Sequence, residues 1–344
     1  MKKISLLLFS VFAISNSTSA QSGFESFALA SNADSKKLFQ SYFSPGMEGF
    51  INSMNNGWYH TAKVHKKFGF DISFGLNGSI APSEKELFDI STLGLTSVTA
   101  TNSGETILPT FAGSAPGRNL TVNTTVDGQD VTAKFESPEG VAKNFPLNII
   151  PAPAIQLTVG LPFKLDLMAR YVPEMSIGEN EGSIDMFGIG LKKEITSWFG
   201  PIEKLPLHVS LLAAYTNMDV SYSTDLNSAN LEIENGFTEF ELSAFTVQAI
   251  ASLNFPIINI YGGFGYNSGN ANLNNSGTYT GKFTTSNGET VRTNLNIPTD
   301  FAFDSSGFRS TIGARLSLGF FKIFGAYTLQ EFDTLTLGAA ISIR

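Results

Sequence analysis

Over much of this chain apolar residues recur at every second position, the spacing of an extended strand whose side chains alternate between two faces. Phe68, Phe70, Ile72, Phe74 and Leu76 fall on one face, and Gly69, Asp71, Ser73, Gly75 and Asn77 on the other. The same dyad runs through Ile155 to Leu161, Phe163 to Tyr171, Phe187 to Leu191, Leu207 to Tyr215, Phe245 to Phe255, Ile312 to Leu318 and Leu335 to Ile343. No charge stands on any of these apolar faces, whereas the opposite faces carry Asp71, Lys164, Asp166, Arg170, Lys192 and Arg315. A soluble β-sandwich alternates too, so the dyad alone leaves open which face meets a core. Composition decides between them. The polar faces are rich in Gly and Ser rather than Lys and Glu, which suits the crowded inside of a narrow barrel and leaves the apolar faces to lipid.

The first 20 residues have the three parts of an export signal: Lys2-Lys3, an apolar run from Ile4 to Ile14, and Thr18-Ser19-Ala20 before Gln21. That run falls well short of the ~20 residues of a spanning helix. No later stretch reaches 18 uncharged apolar residues, so any crossing of a membrane is by strands.

Aromatic residues stand near the ends of the apolar faces, among them Phe163, Tyr171, Phe187, Tyr215, Phe245, Phe255 and Tyr327, as in the interfacial girdles of membrane barrels. Connections alternate between tight turns, at Gly160 to Phe163, Asn254 to Pro256 and Gly319 to Phe321, and long ones at 81–152, 173–183, 223–238 and 267–307. The expected fold is therefore all-β, a transmembrane antiparallel β-barrel of about 12 strands within a range of about 10 to 14. Counting back from the C-terminus reaches Trp58 to Lys66 as an eleventh strand, while a barrel with both termini in the periplasm needs an even number. Either Pro45 to Asn55 adds a strand, the preferred count, or Trp58 to Lys66 lies inside a barrel of ten. Residues 34–43 read as helical, capped by Asp34 or Ser35 and ended by Ser44-Pro45, with Leu38, Phe39, Tyr42 and Phe43 on one face. The expected organisation is a signal at 1–20, a plug or lid at 21–55, and a barrel at 56–344 with long outer loops at 81–152 and 267–307. Asp127-Gly128 and Asn287-Gly288 read as hairpin turns within those loops. The connection from Ile195 to Leu205, with Trp198, reads as a helical turn or a plain interfacial turn.

Chemistry is sparsely equipped. With no Cys there is no disulfide, thiolate metal site or thiol nucleophile. His60 and His65, five apart, would face opposite ways on a strand, and His208 near Ser210 has no same-face carboxylate nearby, so it reads as a lumen histidine. Neither a metal site nor a cofactor is expected, nor an enzyme. The candidate lumen-lining residues are Asp71, Lys164, Asp166, Arg170, Lys192, His208 and Arg315, as a structural salt network or as the lining of a narrow solute path. Asp166 and Arg170 are placed to meet charges on adjacent strands such as Asp71. Without Lys2 and Lys3 the chain holds 20 Lys+Arg against 30 Asp+Glu, a balance that disfavours nucleic acid and an anion pore.

Three segments carry a resemblance: Gly57-Trp58-Tyr59-His60-Thr61-Ala62-Lys63-Val64-His65-Lys66-Lys67-Phe68-Gly69-Phe70-Asp71, Leu167-Met168-Ala169-Arg170-Tyr171-Val172-Pro173, and Gly188-Ile189-Gly190-Leu191-Lys192. In these the chain resembles a family of Bacteroidota outer-membrane barrels defined by sequence, and more loosely the long-chain fatty-acid transporters of the outer membrane. The likeness implies an N-terminal plug, a monomeric barrel and location in the outer membrane. It carries no activity, and the Asn-Pro-Ala signature of the transporter hatch is absent. The expected partner is outer-membrane lipid. The leading functional expectation is uptake or binding of a small apolar or amphipathic compound. The alternative is a non-transporting barrel for adhesion or secretion support. An open lumen path favours the first, a filled interior the second.

Overall fold

The computed structural model describes residues 23–144, 148–177 and 182–343, and the expected signal at 1–20 lies outside them. Ten long strands form the wall: β1 Phe70–Ile80, β2 Ile149–Leu161, β3 Leu165–Ile177, β4 Gly182–Glu194, β5 Leu207–Asn227, β6 Leu231–Asn254, β7 Ile258–Thr285, β8 Asp300–Leu318, β9 Phe321–Leu329 and β10 Thr334–Ile343. Each pairs antiparallel with its neighbour in sequence, and β10 closes on β1 from Phe70 opposite Ile343 to Ser79 opposite Thr334. The ring has no open edge at this level, so its backbone groups are satisfied within the wall. The preferred count of 12 is corrected to ten. Pro45 to Asn55 supplies no strand, and Trp58 to Lys66 lies inside the ring rather than in it.

The dyads face as expected around the belt. Ile72, Leu157, Leu167, Ile189, Leu211, Val247, Ile260, Ile312, Ile323 and Leu337 are exposed on the outside, while Asp71, Thr158, Asp166, Gly190, Leu212, Gln248, Tyr261 and Arg315 point inward. On β5 the outer apolar face runs from Leu207 to Tyr215, which at ~3.3 Å per residue and a barrel's tilt is roughly 20 Å of height, most of the ~25 Å of a hydrocarbon belt. One rim carries Phe163, Trp198, Phe255 and Phe320, and the other Tyr171, Phe187, Tyr215, Phe264, Tyr266 and Phe308, all exposed. At the first rim the turns are tight: Phe163 (φ 65°) and Lys164 (φ 57°) turn β2 into β3, and Gly319 (φ 66°) turns β8 into β9. Thr196–Lys204 is a short 3-10 segment at that rim, kinked at Gly200, with Trp198 exposed.

At the other rim the strands continue past the belt. β5, β6, β7 and β8 have 21, 24, 28 and 19 residues. Much of 223–238 and 267–307, expected as loop, is thus strand. The cause is a change of phase. On β7 the apolar residues are Ile258, Ile260, Phe264 and Tyr266 facing out, then Ala271 and Leu273 facing in; on β8 they are Leu316, Ile312 and Phe308 facing out, then Phe303 and Phe301 facing in. Beyond the membrane the outside is water and the inside is a hydrophobic core, so the pleat is used in the opposite sense.

That core is built on helix α1, Asn32–Met54. Ser31, not Asp34 or Ser35, caps it by accepting from the Asp34 N–H. Asp34 in turn accepts from the Ser97 N–H at 2.6 Å and the Thr96 N–H at 2.9 Å, fixing the loop above. The helix also runs on through Pro45 to Met54 instead of ending there. Leu38, Phe39, Tyr42 and Phe43 are each at most 3% exposed and share one cluster with Phe27, Leu120, Val131, Leu273, Phe283, Phe301 and Phe303. Gly46 and Gly49 let the helix approach Phe111 and Ile150, whose side chains occupy the space a Cβ would take. The 81–148 connection folds over the helix. Its hairpin Asn119–Val126 and Gln129–Glu136 turns at Asp127-Gly128, both with positive φ, and joins the wall where Thr132 lies opposite Thr284. The Asn287-Gly288 turn likewise joins β7 to Thr290–Asn294.

Candidate functional site

Below α1 the chain has no helix or strand from Asn55 to Phe68, yet its part from Asn55 to His65 is largely buried inside the ring, so its backbone polar groups need partners from the wall. The inward side chains provide them. At the helix C-terminus, where carbonyls lack intrahelical donors, Arg170 donates to the Met54 and Asn56 carbonyls at 2.8 and 2.9 Å. Arg309 donates to the Asn55 carbonyl at 2.7 Å and to the Asn56 side chain. Gln156 donates to the Trp58 carbonyl at 3.1 Å. Further down, Ser252 accepts from the Ala62 N–H, Glu194 from the Val64 N–H and Asp166 from the His65 N–H, at 3.0, 3.1 and 2.9 Å.

Trp58 is the centre of this packing. Its ring lies with the Arg170 guanidinium 4.0 Å from its centroid. Gly188 and Gly190 make room for it, since a Cβ on either would stand about 3 Å from the indole. The three segments that carried the resemblance therefore meet here, where Trp58, Arg170 and the Gly188/Gly190 pair form one contact; His65 and Lys192, from the first and third, also meet at Asp166, next to the second.

The inward carboxylates each have a basic partner. Lys192 and His65 both reach Asp166, at 2.9 and 3.2 Å. His60 Nε2 lies 2.9 Å from Asp71, and Arg315 lies 2.9 Å from His60 Nδ1. A guanidinium only donates, so Nδ1 is the acceptor, and Nε2 carries the proton that goes to Asp71. Phe324 stacks on the imidazole at 4.8 Å. Near the tight-turn rim His208 pairs with Glu194 at 3.0 Å. Each of these carboxylates is thus matched, while Arg170 and Arg309 are held by carbonyl and amide oxygens instead of a counter-charge.

Two expectations change. Lys164 lies in the exposed turn between β2 and β3, because the dyad that placed it inside breaks where φ turns positive. Asp166 and Arg170 do not meet Asp71; Asp166 takes Lys192 and His65, and Arg170 takes carbonyls and the indole. His60 and His65 each have a carboxylate of their own, and His208 gains Glu194 from the adjacent strand β4. Arg309, Gln156 and Ser252 were not foreseen. Arg309 shares the inward parity of Thr311, Gly313 and Arg315, and that parity is the signal that could have found it.

The interior cavity lined by Asn55, Trp58, Tyr59, Gln248, Arg309 and Thr328 has a volume of about 10 Å³, room for a single water. No group of three or more His, Cys, Asp or Glu poised to hold a metal occurs among the described residues.

No curated protein matches the chain. Among solved structures it is similar to the attachment invasion locus protein Ail of Yersinia pestis, at 9% identity over 81% of this chain and 100% of that one, TM-score 0.26. It is also similar to the translocator domain of the autotransporter NalP from Neisseria meningitidis, at 9% identity over 91% and 98%, TM-score 0.31. A third is an OmpT loop-deletion mutant, an outer membrane protein of Vibrio cholerae, at 11% identity over 81% and 77%, TM-score 0.23. At such scores the barrel assignment rests on the closed ring of paired strands. The model of one family, a family of unknown function (DUF6588), matches residues 1–343, and the chain belongs to that family.

Proposed function

We propose that this chain is an outer-membrane barrel that conducts no solute and serves as a rigid base for an interaction surface outside the cell. The observation that carries the reading is the lumen: the Asn55 to His65 segment fills it, with its Asn55, Asn56 and Trp58 carbonyls accepting from the wall and its His65 N–H donating to it. A path for a small apolar compound needs space, and the cavity there has room for about one water. The tight-turn rim then faces the periplasm, and the tall strands β5 to β8 with the 81–148 region face outward. In this reading the 24–66 segment is a fixed plug, and the lumen residues Asp71, Asp166, Arg170, Lys192, His208 and Arg315 are its anchors rather than a solute path. The polar outer faces of the tall strands, with Asp219, Glu239, Glu241, Asn272 and Asn274, form the presented surface.

Uptake of labelled fatty acids or aromatic hydrocarbons by proteoliposomes tests this. The expected uptake equals that of empty vesicles. Uptake that rises with the amount of inserted protein overturns the reading in favour of transport.

A further inference from the structure

The ring is closed within the belt, but above it one strand edge is left without a neighbour. β8 pairs with β7 along its whole outer part, from Asp300 opposite Asn274 to Phe308 opposite Tyr266. On its other side, pairing with β9 begins only at Ser310 opposite Leu329. From Asp300 to Arg309 no backbone hydrogen bond meets that second edge among the described residues. A row of unpaired N–H and C=O groups is a template for one more strand.

Helix α1 lines the space beside this edge with a polar stripe at every fourth residue: Lys36, Gln40, Ser44, Glu48 and Asn52. Two contacts fix its position. Asn52 donates to the Ser305 hydroxyl at 3.1 Å, and Lys36 and Gln40 line a cavity of about 560 Å³ with Asp300, Phe301, Ala302, Glu241, Asn272 and Asn274. On the far side Lys85 bridges Glu48 and Glu331. The slot is thus bounded by a free strand edge and a polar helix stripe. The cavity is lined by the carboxylates of Asp300 and Glu241 against the ammonium of Lys36, Lys85 with Glu48 and Glu331 leaves one further carboxylate in excess at its far side, and Asp304 is exposed next along β8.

We infer that this slot receives an extended, basic segment of a partner protein, which adds to β8 as a further strand. The statement rests on the reading of the outer end as an interaction surface and names where and what it binds. Backbone pairing gives the affinity, and Asp300 and Asp304, exposed on the outer face of β8, select for Lys or Arg at alternate positions. A second copy of this chain is the poorer occupant: two-fold antiparallel pairing of this edge with itself centred on residue 304 sets Asp304 against Asp304.

The test uses the full mature chain in detergent micelles and a synthetic nine-residue peptide alternating Lys with Val. Binding is read by fluorescence polarisation, and the site by amide hydrogen exchange. The expected results are binding in the micromolar range with protection of amides within 300–308, at least tenfold weaker binding of the Glu-for-Lys peptide, and loss of binding when alternate peptide nitrogens are methylated. Asp300→Lys with Asp304→Lys, both on the surface, should weaken the Lys peptide by at least tenfold while the folded barrel persists. Equal binding of the methylated peptide, or binding without protection at 300–308, overturns strand addition. No binding overturns the inference outright. Proteoliposomes that stay tight in that case leave the non-conducting reading standing, so the two failures are distinguishable.

Discussion

Burial at the outer end puts one carboxyl in an unusual state. Glu25, 3% exposed among Phe24, Phe27 and their neighbours, is pushed up to about 7 by loss of solvent, against which hydrogen bonds from backbone N–H groups, including that of Gly23, act only in part. The folded chain therefore holds this proton to higher pH than the unfolded chain, whose Glu titrates near 4.5. The stabilisation is complete below 4.5 and is lost as pH rises through about 7, amounting to about 3 kcal/mol at most. Hydrogen exchange of the Phe27 to Leu29 amides should quicken between pH 5 and 8 beyond the intrinsic rate change, and Glu25→Gln should abolish that excess. An excess unchanged in the Gln variant would contradict the assignment. Asp34 shows the reverse balance: burial opposes its charge, but donors from Ser97 and Thr96, helped by Lys37, outweigh that and hold its carboxyl below the usual range. A first-turn carboxylate with three short donors is an anchor for the loop over the helix, whereas Glu25 is a weak point.

At the scale of elements, α1 shows where local signals lose to packing. Ser44-Pro45 is an ordinary stop signal, since Pro45 removes a backbone donor and its ring crowds the preceding turn, at about 3 kcal/mol. The helix continues because both halves are held: Tyr42 and Phe43 in the outer core, Ile51 and Met54 between the walls, and the Tyr42 carbonyl by the Phe111 N–H at 2.9 Å. None of these partners is near in sequence, so no window around Pro45 could show them. The strand dyads, by contrast, were legible because lipid imposes one rule along each whole face. Where that rule ends, so did legibility: Leu273, Phe301 and Phe303 have the opposite phase to Phe264 and Phe308, and read alone they look like loop. If α1 is a fixed element rather than a mobile lid, a disulfide between Asn52→Cys and Ser305→Cys, whose native side chains are hydrogen-bonded at 3.1 Å, should form fully in the folded protein. Since the chain has no other Cys, a thiol count reads the outcome, and free thiols at both positions in folded barrels would contradict the fixed helix.

For the whole molecule, the uneven crossing count in the sequence has a simple cause. Among the described residues the chain passes the membrane level eleven times, ten as wall and once as the buried segment below α1, so Trp58 to Lys66, counted as an eleventh strand, is a pass through the lumen and not a strand. Alternation cannot tell the two apart, because a segment enclosed by a polar lumen also mixes apolar and polar side chains. Its anchors were half legible: Asp71, Asp166, Arg170, Lys192 and Arg315 stood out as charges on a polar face, but Arg170 and Lys192 bind backbone carbonyls and Asp166 a backbone amide, which leave no trace in a sequence, while Asp71 and Arg315 share the His60 side chain. The central claim is a lipid-facing barrel closed by its own N-terminal segment, and spin labels placed one at a time on this cysteine-free chain along 258–273 test both halves together. In bilayers, labels at 258, 260, 264 and 266 should relax strongly with oxygen, labels at 259, 261 and 263 should respond neither to oxygen nor to a water-soluble nickel reagent, and the oxygen response should vanish beyond 268. Nickel access at the odd positions would reveal an open lumen, and an absent oxygen response at the even ones would remove the membrane from the account.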